Sequence, residues 1–360
     1  MNYRLNINGR VYHLNLEKNL VNVKSKISTN RRHIKTSINQ AGLCNKLEDG
    51  DRYLNFPDNG LEKAIRKAVG NHNRPIRLSE VINVKNLQAE GLGITNLSGI
   101  ENLYNLQRIV LWTNKIGDSE LKKLSYLKNL KSIDLGNNNI TSIEAGVFNE
   151  LKELEELVLE DNKIKYIADE AFIGMDRLSN LLLDGNIIKS INCVEHVKNI
   201  VNLHISNNLI SDLSPLAKLK KLEWLKAECN LIEDLNPIAD CKKIYWLELN
   251  TNSIKDISPL THLHEIKRLS LINNEIQEID ALSHLDKLEW LKLSQNNIKD
   301  ISALKDMVEL KILELANNKI KDISPLISLN KLKLLYLKGN SIDDFSVTAY
   351  LKELKTKDFQ

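Results

Sequence analysis

The chain has 360 residues, 42% hydrophobic and 27% charged, which suits one large or two modest soluble domains and excludes a peptide scaffold. Lys and Arg total 50 against 47 Asp and Glu, a formal charge of +3, so the concentrated basic surface that nucleic-acid binding needs is missing. No apolar run approaches the roughly 18 residues of a membrane span, and Met1-Asn2-Tyr3-Arg4 opens a polar stretch, so the chain reads as soluble and without a secretory leader.

The first predicted element is a β-hairpin, because Tyr3 to Leu16 alternates apolar with polar residues and turns at Asn8-Gly9. The rest of residues 1–55 is polar and basic, with ten Lys and Arg against four Asp and Glu over the segment, and is expected to be a solvated appendage. Residues 56–83 read as a helical cap. Within them, Phe56 to Gly70 forms an amphipathic helix with Leu61, Ile65, Ala68 and Val69 on one face and Gly70 as its stop.

Internal periodicity then fixes the architecture. Asn makes up 44 residues, although it is a poor former of helices and strands, so something structural uses those amides. Eleven of them, from Asn114 through Asn230 to Asn340, fall in register at the ninth position of a frame LxxLxLxxNxI, spaced first by 24 and then by 22 residues. A degenerate copy (Val84, Leu87, Ala89, Leu92, Ile94) precedes them, giving twelve coils over residues 84–342. The central LxL is a strand with two inward side chains, and the Asn amide is expected to serve backbone groups where the chain turns inward. In the 22-residue coils the return path carries Ser-Pro or Asn-Pro, as at Pro215, Pro237, Pro259 and Pro325, predicting one short 3₁₀ or α turn each. In the 24-residue coils, Glu144 to Phe148 and Asp169 to Phe172 are expected to form slightly longer helical turns. Beyond them, Asp343 to Leu354 leaves the frame and reads as a closing helix with an acidic start, so residues 343–360 are assigned to a carboxyl-terminal cap.

The frame is similar to that of leucine-rich repeats. From Phe56 to the end the chain resembles, more specifically, the internalin-like class of bacterial leucine-rich repeat proteins. The resemblance rests on the cap motif FPDxxLExAIRKA at 56–68, the 22-residue coils with DISPL, and the ending DFSVTAYLKELKTKDF at 344–359. It implies a right-handed solenoid of the α/β repeat class, with a parallel sheet on the concave face and short 3₁₀ or α turns on the convex face. It also implies a recognition surface for other proteins, often on host cells.

No dinucleotide, phosphate-loop, zinc-protease, nucleophile-elbow or calcium-loop motif is present, so no enzyme and no cofactor are implied. His262 and His284 occupy equivalent positions in adjacent coils beside His264, but a nitrogen pair lacking further ligands is a weak zinc site and no metal is assigned. Cys193, Cys229 and Cys241 fall in different coils or on opposite sides, and free thiols are expected.

The informative part is the outward face. Position 3 of successive coils reads Arg108, Ser132, Glu156, Asn180, Asn202, Trp224, Trp246, Arg268, Trp290, Ile312, Leu334. Adjacent parallel strands lie about 4.8 Å apart, so Trp224 and Trp246 should sit side by side with Arg268 between Trp246 and Trp290. Trp112 at position 7, Tyr245 and Tyr336 add outward aromatics, and His204, Lys226, Glu248 and Lys292 at position 5 supply polar neighbours. These eleven residues, Trp112 to Tyr336, form the predicted partner-binding site, because interface centres favour Trp, Tyr and Arg with a polar surround. The competing explanation is that the rings stabilise the sheet by cross-strand packing.

The sequence therefore predicts a monomeric, non-enzymatic protein that holds a folded partner or an extended segment on its concave face, binding neither nucleic acid nor membrane. An intracellular subunit that docks on an enzyme, similar to the leucine-rich regulator of type 1 protein phosphatase, is the alternative. A chain natively starting at Met1 is expected in the cytoplasm, and one relieved of a leader, outside the cell or on its surface.

Overall fold

The computed structural model describes residues 2–7, 10–15 and 51–359. The chain divides into two units, Met1–Arg52 and Tyr53–Gln360. In the first, Asn2–Ile7 pairs antiparallel with Arg10–Asn15, with Asn2 opposite Asn15, which is the expected hairpin. Its Asn8-Gly9 turn and the basic stretch 16–50 lie outside the described residues.

The second unit starts with Tyr53–Leu54, which pairs antiparallel with Ile76–Arg77. Between them the helix Asn59–Val69 begins at Asp58 and ends at Gly70 in the left-handed region (φ 68°). One oxygen of Asp58 caps the helix through Gly60 N (2.9 Å) and Leu61 N (3.0 Å), and the other accepts from Thr95 N (2.8 Å) and Asn96 N (3.1 Å) in the first coil. Burial pushes this carboxyl up, but those bonds overcome it and hold it below its ordinary value. The helix packs tightly here, since a Cβ on Gly60 would meet the Leu92 carbonyl oxygen at 2.5 Å. Its buried face is Leu61, Ala64 and Ile65. Val69 packs against the core partly buried, whereas Ala68, predicted inward, is exposed.

Thirteen strands form one sheet, each parallel to its neighbours in chain order. The central residues Leu87, Ile109, Ile133, Leu157 and onward to Leu335 pair coil to coil and are wholly buried. The Asn ladder behaves as expected. Asn230 accepts from Ile210 N (3.0 Å) and donates to Ile205 O (2.9 Å) in the preceding coil and to Ala227 O (3.3 Å) and Glu228 O (3.1 Å) in its own. The residue before each ladder Asn adopts positive φ, from 52° at Asn137 and Cys229 to 74° at Gly339, which turns the strand inward. This second element of the frame is hard to see in sequence, because Thr, Asn, Asp, Cys, Gln and Gly all occupy it.

On the other side the 22-residue coils carry 3₁₀ turns such as Ser214–Lys218 and Ser324–Ser328. Asp212 starts one by accepting from Ser214 N (2.7 Å) and Ser214 Oγ (2.8 Å), and Asp322 does the same for Ser324. Two expectations are corrected. Among the 24-residue coils only one holds a helix, Asp118–Leu124, whereas Ser142–Ile143 and Tyr166–Ile167 pair as a short parallel sheet in place of helical turns. Buried Ile143 and Ile167 favour strand, and Gly146 (φ 78°) and Gly174 (φ 82°) interrupt any helix in those return paths.

The closing helix is likewise replaced. Ser346–Tyr350 is a five-residue 3₁₀ turn, and Thr356–Asp358 adds a thirteenth strand beside Leu334–Tyr336. Asp344 caps Ser346 (2.7 Å) as Asp322 caps Ser324, and Leu351 and Leu354 repeat Leu329 and Leu332 after 22 residues, so the frame persists. The core ends where Lys357 replaces the inward Leu and lies over the Phe359 ring (5.4 Å), itself stacked on Phe345 (5.1 Å). Among the described residues no helix is long and apolar enough to cross a membrane.

Candidate functional site on the sheet face

The position-3 row is held by backbone register: Asn202 opposes Trp224, Trp224 opposes Trp246, Trp246 opposes Arg268, and Arg268 opposes Trp290. Rings that share this register must meet. The Trp224 and Trp246 rings stack with centroids 4.3 Å apart and planes within 7°, and His204 abuts Trp224 edge-on at 4.3 Å. The Arg268 guanidinium lies 4.6 Å from the Trp246 ring and 4.2 Å from that of Trp290. The predicted order along the row is therefore present as one continuous stack from His204 to Trp290. The three tryptophans are half-buried, and Trp224 and Trp246 cover each other, so cross-strand packing contributes to their placement as well.

Beneath the stack runs a charged row. Lys226 Nζ pairs with Asp184 Oδ2 at 3.1 Å, and Lys292 Nζ with Glu314 Oε1 at 2.9 Å. Glu248 is pushed above the ordinary carboxylate range by burial and by Glu228, against the opposing effects of Lys226 and of bonds from the two indoles. Beside Trp246, Arg268 and Trp290 opens a cleft of about 220 Å³, also lined by Glu228, Glu248, Asn250, Ser270 and Lys292. Apolar walls with a few charged groups at their base are what a specific binding site requires.

Three predicted site residues stand apart. Trp112 is five strands from Trp224 and covers Gly136 so closely that a Cβ there would lie 1.8 Å from its ring. Tyr336 is two strands beyond Trp290, opposite Glu314. Tyr245 is exposed and adjoins the row from the side, with its hydroxyl pushed up by partial burial. Among the three histidines singled out, the His262 and His264 rings are 6.2 Å apart and His264 Nδ1 meets the His284 carbonyl (3.1 Å). Cys193, Cys229 and Cys241 are free, and burial pushes the Cys241 thiol up to about 11.

Further along the face, burial pushes Asp134 up to about 6, with the Gly136 amide opposing and Glu156 assisting. A raised carboxyl binds its proton in the folded state first, so its contribution to stability is full below about pH 4 and is lost as pH rises through 6. Asp134→Asn, which can still accept from Gly136, should therefore stabilise the protein by about 2 kcal/mol at pH 7.5. Chemical unfolding at pH 7.5 and 3.5 checks this: a gain of equal size at both values would rule out the ionisation account.

The repeat found in the structure is also found by comparison. The family described as Leucine rich repeat matches residues 128–188 and 242–298, and that described as Leucine Rich repeats (2 copies) matches 286–328 and 308–348. An internalin (InlF) from Listeria monocytogenes is similar over 85% of this chain and 96% of its own, at 28% identity and a TM-score of 0.73. In repeat and fold the chain is similar to internalins. The functional domain of InlJ from the same organism matches 84% of this internalin-like chain and 65% of its own length, at 21% identity and a TM-score of 0.72. The plant peptide hormone receptor RGFR1, in complex with RGF2, shares the fold over 76% of this chain and 45% of its own, at 22% identity and a TM-score of 0.65. No curated protein matches the sequence.

Proposed function

We propose that this internalin-like protein is a non-enzymatic recognition protein whose sheet face, centred on Trp224, Trp246, Arg268 and Trp290, holds a protein partner. The observation that carries this reading is the stack itself: four large side chains in consecutive coils, beside a cleft with charged groups on both sides. Apolar ring surface contributes roughly 25 cal/mol per Å² when a partner covers it, and the half-buried edges of the stack are what remains to be covered. Similarity to a receptor solved with a bound hormone supports a solenoid of this fold serving as a binding surface.

The test is a paired retention experiment with the wild-type chain and Trp246→Ala, against host-cell surface extracts and lysate of the producing organism. The variant should bind the retained protein more than tenfold more weakly. Because Trp246 stacks on both Trp224 and Arg268, it should also lose about 1–2 kcal/mol of stability. Ile167→Val, a buried change on the opposite side, supplies a comparably destabilised control. If Trp246→Ala retains wild-type affinity, the stack is packing alone and the proposal fails.

A further inference from the structure

We infer that Glu160, Asp184 and His204 form a binding site for a divalent transition-metal ion of the Zn²⁺ class, occupied in the metal-free protein by the ammonium of Lys226. One donor atom from each of the three lies within 4.8 Å of the other two. The three come from consecutive coils. Glu160 and Asp184 share position 7 and His204 takes position 5 of the next coil, so their backbones are fixed by the sheet, with Asp161 N bonded to Asp184 O (2.8 Å) and Leu183 N to His204 O (2.8 Å).

The side chains are oriented as well as the backbones. Asp184 is buried, and its Oδ1 accepts from the Ser206 amide at 2.6 Å, which points Oδ2 at His204 Nδ1 (3.9 Å) and Lys226 Nζ (3.1 Å). His204 is set by its edge contact with Trp224. The position therefore already holds a cation, supplied by the protein. Two carboxylates and one imidazole suit borderline ions such as Zn²⁺ or Co²⁺ better than Ca²⁺, which takes oxygen ligands. Ligand bonds of about 2.1 Å need only side-chain shifts to draw the donors together, with Lys226 leaving Asp184 as the ion enters. No motif search finds such a site, because its ligands are separated by a whole coil each.

The inference stands apart from the partner reading, and its test uses the metal alone. Calorimetric titration of the full chain with Zn²⁺, with Co²⁺ absorption as a second readout, should show a site that His204→Gln weakens at least tenfold. Lys226→Met removes the competing cation and should tighten the same site at least tenfold, whereas a simple surface histidine would not respond to it. His262→Ala should leave it unchanged. No binding by the wild type, an unaltered isotherm in His204→Gln, or unchanged or weaker binding in Lys226→Met would each overturn the assignment, given thermal melts that show the variants folded.

Discussion

Replacing Asn230 by alanine is expected to lower the unfolding free energy by about 2–4 kcal/mol, among the larger effects open to a single substitution. The side chain is buried and its amide serves one backbone donor, Ile210 N, and three acceptors, Ile205 O, Ala227 O and Glu228 O. Alanine leaves Ile210 N without its acceptor, whereas Ile205 O, Ala227 O and Glu228 O each keep one donor, from the Asn208 and Asn252 side chains and the Asn207 amide. The one unpaired buried donor costs about 1–3 kcal/mol, and the lost bonds from the shared NH₂ add about 1 kcal/mol. Two coils are affected at once, since two of the four groups belong to the preceding coil. Asn230→Asp keeps the acceptor and loses the donor, so it should separate the two halves of the effect. A denaturant titration showing less than 1 kcal/mol lost in Asn230→Ala would mean the ladder is dispensable.

Deleting residues 343–360 should abolish the single cooperative unfolding transition and promote association. The deletion uncovers the strand Leu334–Tyr336 along its backbone edge, where Leu337 N and Lys355 N now bond Asp358 O (2.7 Å) and Lys333 O (2.9 Å). It also bares Leu332, Leu335 and Leu337, all buried in the intact chain. An apolar solenoid end with an unpaired parallel edge is a template for a second chain. Light scattering and calorimetry on the truncated chain check this, and a monomeric protein with an unshifted transition would show that the thirteenth coil protects nothing. Lys357→Leu in the full chain is a milder probe, because it extends the apolar row by one more residue at the edge.

Most of the coil was legible because its determinants are one-dimensional. The LxL strands, the Asn register and the facing of the position-3 row all repeat at a fixed interval, and the order Trp224, Trp246, Arg268, Trp290 translates directly into ring contacts. The errors came where local signals outweighed that interval. Val347, Leu351 and Leu354 have helical spacing, yet Asp344 and Ser346 repeat Asp322 and Ser324, and the longer-range rule prevailed. The return paths at Ile143 and Ile167 turn on pairing between neighbouring coils, which no single coil displays. The half-burial of the tryptophans was not legible for the same reason: facing outward fixes direction, while accessibility depends on what stands in the adjacent coils. The grouping of Glu160, Asp184 and His204 was invisible to spacing rules, since it needs two different frame positions to be overlaid in space.

The unbroken strand order has a consequence for how this surface can change. One coil is also one unit of distance, about 4.8 Å along the sheet. Duplicating or losing a 22-residue segment therefore moves every outward group beyond it by one such step without altering its own coil. Such an event between Leu313 and Leu335 would leave the stack from His204 to Trp290 intact and carry Tyr336 nearer or farther by one interval. The same event between Leu247 and Leu269 would change the stack itself, either doubling Arg268 between Trp246 and Trp290 or removing it and bringing the two rings together. The face is thus a ruler whose marks can be inserted or removed singly, and the positions at which they cannot be are those where neighbouring marks touch.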